Sequence, residues 1–313
     1  MISTTNLPIK KRAARKFLQR PILDKLSNLD TPLQKAYNLS KVCSSFIEVK
    51  EGVSRSFFCK RTWCAICSPI RTAVRLNKYS SALGSLPGLT FTTLTVRNVP
   101  GVNLRETISL MRSVFRQFQN SYKYPISGVY NIEITYNYST SRYHPHIHFI
   151  HSDFAQDEVS IYKGRNSNIL IDYWKYKFPS CSLKAQDTRP CTDLKEGFKY
   201  SNKQFSFRKT KTGREYFLNA PAMDLIYQQI KGLRMFNSFG SLPVVIDEQN
   251  EFDILQAAAC NAPDGIYKWT YSDWISIIDN IDFETGEINN TALTNYIPNQ
   301  KTLKQVYEIE INN

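Results

Sequence analysis

Four histidines, His144, His146, His148 and His151, are all the chain has, and they fall within eight residues. In an extended strand alternate side chains share a face. His144, His146 and His148 then project one way and His151 the other. The pair His146 and His148, around Ile147, offers two imidazoles to one cation. The turn-rich stretch Asn137–Arg142 separates two strand candidates, Gly128–Tyr136 and Tyr143–Ile150, which read as a β-hairpin. A turn centred between Ser139 and Thr140 sets Glu133 opposite His146, with Cβ atoms about 4.5–5.5 Å apart. Glu133, His146 and His148 converge on one point in that register, leaving positions open for a substrate. A one-residue slip would turn Glu133 away. Two imidazoles and a carboxylate serve zinc, manganese or magnesium, and on these residues alone a zinc hydrolase is a fair reading.

The cysteines offer a second constellation. Cys59, Cys64 and Cys67 are spaced C-x4-C-x2-C, and Cys43 lies upstream on another apolar segment. Four thiolates close the tetrahedral shell of a structural zinc at about 2.3 Å. The flanking Lys60, Arg61 and Arg71 favour thiolate formation. A disulfide is a poor reading in a reducing compartment. Cys181, Cys191 and Cys260 are scattered and read as ordinary thiols.

The elements that must position these groups follow from pattern. Phe91–Val96, rich in β-branched residues, reads as a strand. Arg105–Tyr122 carries Ile108, Leu110, Met111, Val114, Phe115 and Phe118 at roughly helical spacing. Asn168–Lys177 and Asp193–Lys203 read as helices, and Lys10–Arg20 as a short basic helix or a loose arm. These elements give a strand-rich core with helices beside it, preceded by a cysteine-rich, zinc-binding segment. The expected division is residues 1–80, a basic region with the cysteine cluster; 81–240, the core; and 241–313, an acidic region. The acidic region contains Trp269, Trp274, Ile275, Ile277 and Ile278 and is expected to pack as helices.

Charge narrows the partner. The net charge is +13. Ser241–Asn313 holds twelve acidic and three basic residues, so the preceding 240 residues carry a net +22. A basic body of this kind suits a polyanion, since each phosphate contact releases counterions. Around Phe205–Phe217, Arg208, Lys209, Lys211 and Arg214 are interleaved with Phe205, Phe207, Tyr216 and Phe217. Such mixing suits single-stranded nucleic acid, where bases stack and phosphates are neutralised. No apolar run is long enough for a membrane span and no secretory signal is present, so a cytoplasmic location is expected.

Four segments together resemble the rolling-circle replication initiators of small bacterial plasmids, within the HUH endonuclease superfamily. FTTLTVRN (Phe91–Asn98) resembles the first motif of that family, and HPHIHFI (His144–Ile150) its histidine motif. EGFKYSNK (Glu196–Lys203) is similar to its tyrosine motif, and CKRTWCAIC to a cysteine segment that precedes the core in some members. The resemblance covers roughly Cys43 to Gly240. It implies an α+β fold, an HUH core of antiparallel sheet flanked by helices with the histidine strand central, holding magnesium or manganese and nicking one origin strand. Tyr200 is then the nucleophile, linked to a 5′ phosphate and leaving a free 3′ hydroxyl. A phenol is mostly protonated at neutral pH and needs help from the metal. Glu196, four residues earlier, activates water for the closing cleavage, while Lys203 or Lys199 balances phenolate or phosphate charge. A host helicase and DNA polymerase are implied partners. A transposase or relaxase of the same superfamily, and a zinc-containing plasmid regulator without catalysis, are the competing readings.

Overall fold

A computed structural model describes residues 7–123, 125–154, 168–194, 198, 208–209, 215–216, 220–243, 258–277 and 292–311. The chain divides into two compact units, 1–73 with 204–224 and 249–313, and 74–203 with 225–248. The architecture is α+β, and each unit has its own five-stranded sheet.

In the first unit, helix α1 (Leu7–Ser27) and helix α2 (Gln34–Lys41) precede a hairpin of β1 (Phe46–Lys50) and β2 (Val53–Ser56). The stretch expected as a short basic helix or arm is thus one long helix. Strand β1 buries Ile47 and Val49 and exposes the residues between them, the alternation of a half-buried strand. Its turn is Glu51–Gly52, with φ of 52° and 72°. Two positive φ values match the right-handed twist of a two-residue hairpin, and a glycine at the second eases the strain.

Further along, β10 (Ala258–Ala259), β11 (Gly265–Trp269) and β12 (Trp274–Ser276) complete the sheet in the order β10-β2-β1-β11-β12. This corrects the expectation of helices after residue 241. Among the described residues only Gln300–Ile311 is helical there, and Trp269, Trp274 and Ile275 lie on a hairpin. The cause is the turn together with the bonds that Asp273 makes beyond it. Thr270 closes the turn by donating its N–H to the carbonyl of Asp273 at 2.8 Å. The buried Asp273 carboxylate accepts from the N–H groups of Trp274, Thr294 and Tyr296. Ile9 and Ala13 of α1 pack with Ile47, Val49, Tyr267, Trp274 and Leu293 to form the core of this unit.

The second unit holds β3 (Thr90–Thr95), helix α4 (Leu104–Ser121), β4 (Gly128–Asn137), β5 (Arg142–His151), helix α5 (Ile169–Lys177), β6 (Asp187–Pro190) and β9 (Phe236–Phe239). The strand order is β6-β3-β5-β4-β9, antiparallel throughout, with the histidine strand in the centre. Helix α3 (Cys67–Gly84) begins in the first unit and continues into the second. Helix α4 buries Ile108, Met111, Val114, Phe115 and Phe118. Its Phe115 meets Phe149 at 4.6 Å between ring centroids, so α4 covers the face opposite His146 and His148. Helix α5 is capped by Asn168, whose side chain accepts from the N–H of Ile171 at 3.0 Å. In the segment expected to be helical at 193–203, Leu194 and Phe198 are helical; 195–197 and 199–203 lie outside the described residues. No described helix is long and apolar enough to cross a membrane.

One glycine is dictated by close approach. A Cβ on Gly128 would stand 2.2 Å from the Ile150 carbonyl oxygen and 2.7 Å from the His151 Cα. Both are backbone atoms of the neighbouring strand and cannot turn aside. Gly128→Ala is expected to cost about 3 kcal/mol or more, at or above the usual penalty for overpacking. A urea-unfolding midpoint unchanged by the substitution would contradict this.

The opposite face of β5 carries the fourth histidine. His151 is fully buried, donates Nδ1–H to the Ser152 carbonyl at 2.6 Å, and takes the Thr92 hydroxyl on Nε2 at 2.9 Å. Burial lowers its pKa to about 4. The unfolded chain takes up this proton near pH 6.5 and the folded chain only near 4, so His151 costs stability as pH falls between those values. The loss is about 3 kcal/mol across the window. His151→Gln is expected to flatten that part of the stability profile relative to wild type, as read by urea midpoints from pH 7 to 4.5. Parallel profiles for the two proteins would sink the assignment.

Candidate metal centres

The hairpin has the register that brings the acid to the imidazoles. Glu133 pairs with His146 across β4 and β5, and Asn131 with His148. Glu133 Oε2 lies 3.3 Å from His146 Nε2 and 3.2 Å from His148 Nε2. Ligands held about 2.0–2.2 Å from a common ion keep separations of this size. The donor set of one carboxylate and two imidazoles therefore fits a divalent cation. Burial pushes the Glu133 carboxyl upward, but hydrogen bonds and charge from His146 and His148 outweigh it and hold the pKa down to about 2. The carboxylate is ionised at any working pH.

Both imidazoles are oriented from behind. His146 Nδ1 faces the His144 carbonyl at 3.2 Å, an acceptor only, so Nδ1–H donates there and Nε2 is the nitrogen turned to Glu133, where a cation would replace its proton. His148 Nδ1 lies 3.0 Å from the Thr93 hydroxyl on the neighbouring strand, and its ring stacks on Phe91 at 5.6 Å. His144 does not join the cluster of ligand atoms. Its Nδ1 meets Asn98 Oδ1 at 2.7 Å, and its ring lies 5.4 Å from that of His146. Thr93 and Asn98 were missed as orienting residues in the sequence. Their only signal was membership in FTTLTVRN, because β3 must first be placed beside β5 before Thr93 faces His148.

The same face carries an apolar cluster of Phe91, Val129 and Ile150 with Tyr79 and Leu83 of α3. Phe198 is part of it, 2% exposed, its ring 5.9 Å from Phe236. Glu196, Lys199, Tyr200, Lys203, Lys211 and Arg214 lie outside the described residues. Arg208 and Lys209 form a two-residue strand, β7, paired with Glu215–Tyr216, and their side chains are likewise outside.

The four cysteines come together in the first unit. Cys43 follows α2, Cys59 and Cys64 flank a short loop, and Cys67 opens α3; all four are buried. Their sulfurs lie within 4.8 Å of one another, with Cys43 to Cys67 at 3.5 Å and Cys59 to Cys67 at 3.7 Å. A tetrahedral ion at about 2.3 Å from each sulfur sets the sulfurs about 3.8 Å apart. The cluster therefore could hold a metal with little adjustment. Cys43 Sγ accepts from the Cys59 N–H at 3.4 Å. Hydrogen bonds from Cys43, Cys64 and Cys67 hold the Cys59 thiol far below its usual range, and the bond to Cys59 pushes Cys43 far up. Gln19 Oε1 on α1 accepts from the Ala65 N–H at 2.9 Å and braces the loop. Burial lowers the Lys16 ammonium to about 8 and the Arg12 guanidinium to about 10, and cysteine charge opposes both shifts.

Fold and site define an α+β protein with two candidate metal centres, one of them on the central strand of an antiparallel sheet. Residues 50–160, a stretch with Cys59, Cys64, Cys67 and the whole histidine hairpin, match the family model described as replication protein. The protein named "Protein rep" of Streptococcus pneumoniae serotype 2 (strain D39 / NCTC 7466) is 36% identical over 172 residues, covering 49% of this chain and 52% of that one. Proteins of the same name from a Bacillus sp and from Bacillus amyloliquefaciens are each 33% identical, covering 31% and 37% of this chain and 34% and 39% of their own length. The chain thus spans about half the length of the first of these relatives and less of the others. No solved structure matches it.

Proposed function

We propose that this chain is a plasmid rolling-circle replication initiator that nicks one strand of its origin with a tyrosine nucleophile. The observation that carries the reading is the convergence of Glu133, His146 and His148 on the central strand, in the segment that matches the replication-protein family. Phe198 supports it. This residue, two before Tyr200, is anchored in the apolar cluster on the histidine face of the sheet.

Glu133, His146 and His148 would hold magnesium or manganese, which when bound polarises the scissile phosphate. The Tyr200 oxygen attacks phosphorus, and the bond from phosphorus to the 3′ oxygen breaks. The phenolic proton is lost and the 3′ oxygen gains one, leaving a 5′-phosphotyrosyl link and a free 3′ hydroxyl. Lys203 and Lys199 offset phosphate and phenolate charge. Glu196 takes a proton from water in the closing cleavage. Cys43, Cys59, Cys64 and Cys67 would hold a structural zinc. Arg208, Lys209, Lys211 and Arg214 contact origin DNA, including its single-stranded part. A host helicase and polymerase complete the cycle in the cytoplasm.

Purified protein mixed with supercoiled parent plasmid and magnesium or manganese, then stopped with detergent, is expected to yield nicked circles carrying covalently bound protein. Tyr200→Phe should give none. Adduct persisting in Tyr200→Phe would move the nucleophile elsewhere. Tight binding with no nicking in either metal would leave the non-catalytic regulator as the better reading. Nicking at a transposon end or transfer origin would favour a transposase or relaxase.

A further inference from the structure

Helix α1 carries an ammonium into the interior beside the cysteine cluster. Lys16 is 3% exposed, and its Nζ donates to the Cys43 carbonyl at 2.7 Å, the Ser45 hydroxyl at 3.1 Å and the Lys41 carbonyl at 3.2 Å. All three acceptors are neutral, and the Trp269 ring 5.5 Å from Nζ adds a cation–π contact but no opposite charge. A buried cation is costly without an opposite charge nearby. Among the described residues no carboxylate forms an ion pair with Lys16. Arg12, one helical turn earlier, is 7% exposed and lies over the Phe58 ring at 5.0 Å, next to Cys59 in sequence. Two basic side chains thus point from one helix face into the region of four buried sulfurs.

We propose that Lys16 is the built-in counter-charge of a zinc tetrathiolate formed by Cys43, Cys59, Cys64 and Cys67. Four thiolates around a divalent ion leave two negative charges, and the Lys16 ammonium answers one of them. The inference rests on the reading of the cysteine cluster as a zinc site. It makes α1 part of the metal centre, although α1 contributes no ligand. It also gives a reason for burying a basic residue in a helix whose sequence suggests a solvent-facing arm.

The test uses the full chain in a His146→Ala background, so that only the cysteine site retains zinc. Zinc content is measured first, then the rate of zinc loss to excess EDTA and the melting temperature with and without zinc. Lys16→Met is expected to lose zinc about tenfold faster or more, the size usual for residues just outside a metal's ligands. Lys16→Arg, which keeps the charge, should stay near the parent rate. The drop in melting temperature for Lys16→Met should be clearly larger in the zinc-loaded protein than in the zinc-free one. Equal drops in both forms, or parental release by Lys16→Met, would overturn the proposal and leave Lys16 a hydrogen-bonded tether. If Lys16→Met fails to fold, Lys16→Gln, which removes the charge but keeps donors, gives the same comparison. A parent protein without zinc would instead overturn the zinc reading itself, and that outcome is seen before any Lys16 variant is made.

Discussion

His148→Ala is expected to abolish metal-dependent nicking, lowering the rate on the order of 10³-fold, because a metal at a phosphoryl centre supplies several kcal/mol of charge stabilisation. The loss should appear first as binding. Removing the imidazole leaves His146 and Glu133, which are 3.3 Å apart, as a two-ligand remnant. Calorimetric titration with manganese is expected to show no saturable site in this variant. Thr93→Val provides the graded comparison. The ligand set is intact, but the group 3.0 Å from His148 Nδ1 no longer fixes the ring. Metal affinity should fall about 10–100-fold, the usual cost of removing an orienting partner. Nicking by Thr93→Val should recover at high manganese, while nicking by His148→Ala should not. Parental manganese affinity in His148→Ala would remove the hairpin from the chemistry altogether.

The second large effect falls on the first unit. Cys64→Ser, or stripping of zinc with a chelator, is expected to unfold the region around Cys43 to Cys67 and not merely loosen it. A structural zinc contributes about 10–16 kcal/mol of apparent folding free energy at neutral pH, comparable with or above the whole stability of a typical domain. The consequences should extend along the contacts of the Cys43 segment. The Ser44 carbonyl accepts from Trp274 Nε1 at 2.8 Å, and the Ser45 carbonyl accepts from the Trp269 N–H at 2.7 Å. Limited proteolysis of Cys64→Ser should therefore open sites both in 57–66 and in the 265–276 hairpin. A parental digestion pattern from zinc-free protein would show that the cluster is dispensable for folding.

Some of this was legible in the sequence because it is local. The hairpin register follows from one turn, and so the pairing of Glu133 with His146 could be derived by counting from Ser139 and Thr140. The cysteine spacing and the periodicity of α4 are equally short-range. The rest depends on neighbours distant in the chain. Lys10–Arg20 reads as a basic surface helix, yet Arg12 and Lys16 are buried, because the segments they pack against begin some 25 residues later. Thr93 acquires a role only through the pairing of β3 with β5. The hairpin at 265–276 reads as helix because Trp and Ile spacing alone does not tell a short strand from a helix turn. What decides it is Asp273, whose capping bonds reach residues 294 and 296.

The first sheet has a consequence in time. Strand β1 lies between β2 and β11, with Phe46 opposite Lys268. During synthesis the cysteine segment and the β1–β2 ribbon emerge early, but a two-stranded ribbon is barely stable alone. Its other flank is supplied only after more than two-thirds of the chain has been made. Pairings this distant are slow to close, and until they close the edge of β1 is an open template for other strands. The first unit should therefore mature after the second on the ribosome, and an early-bound ion at the cysteines would keep the waiting segment in shape.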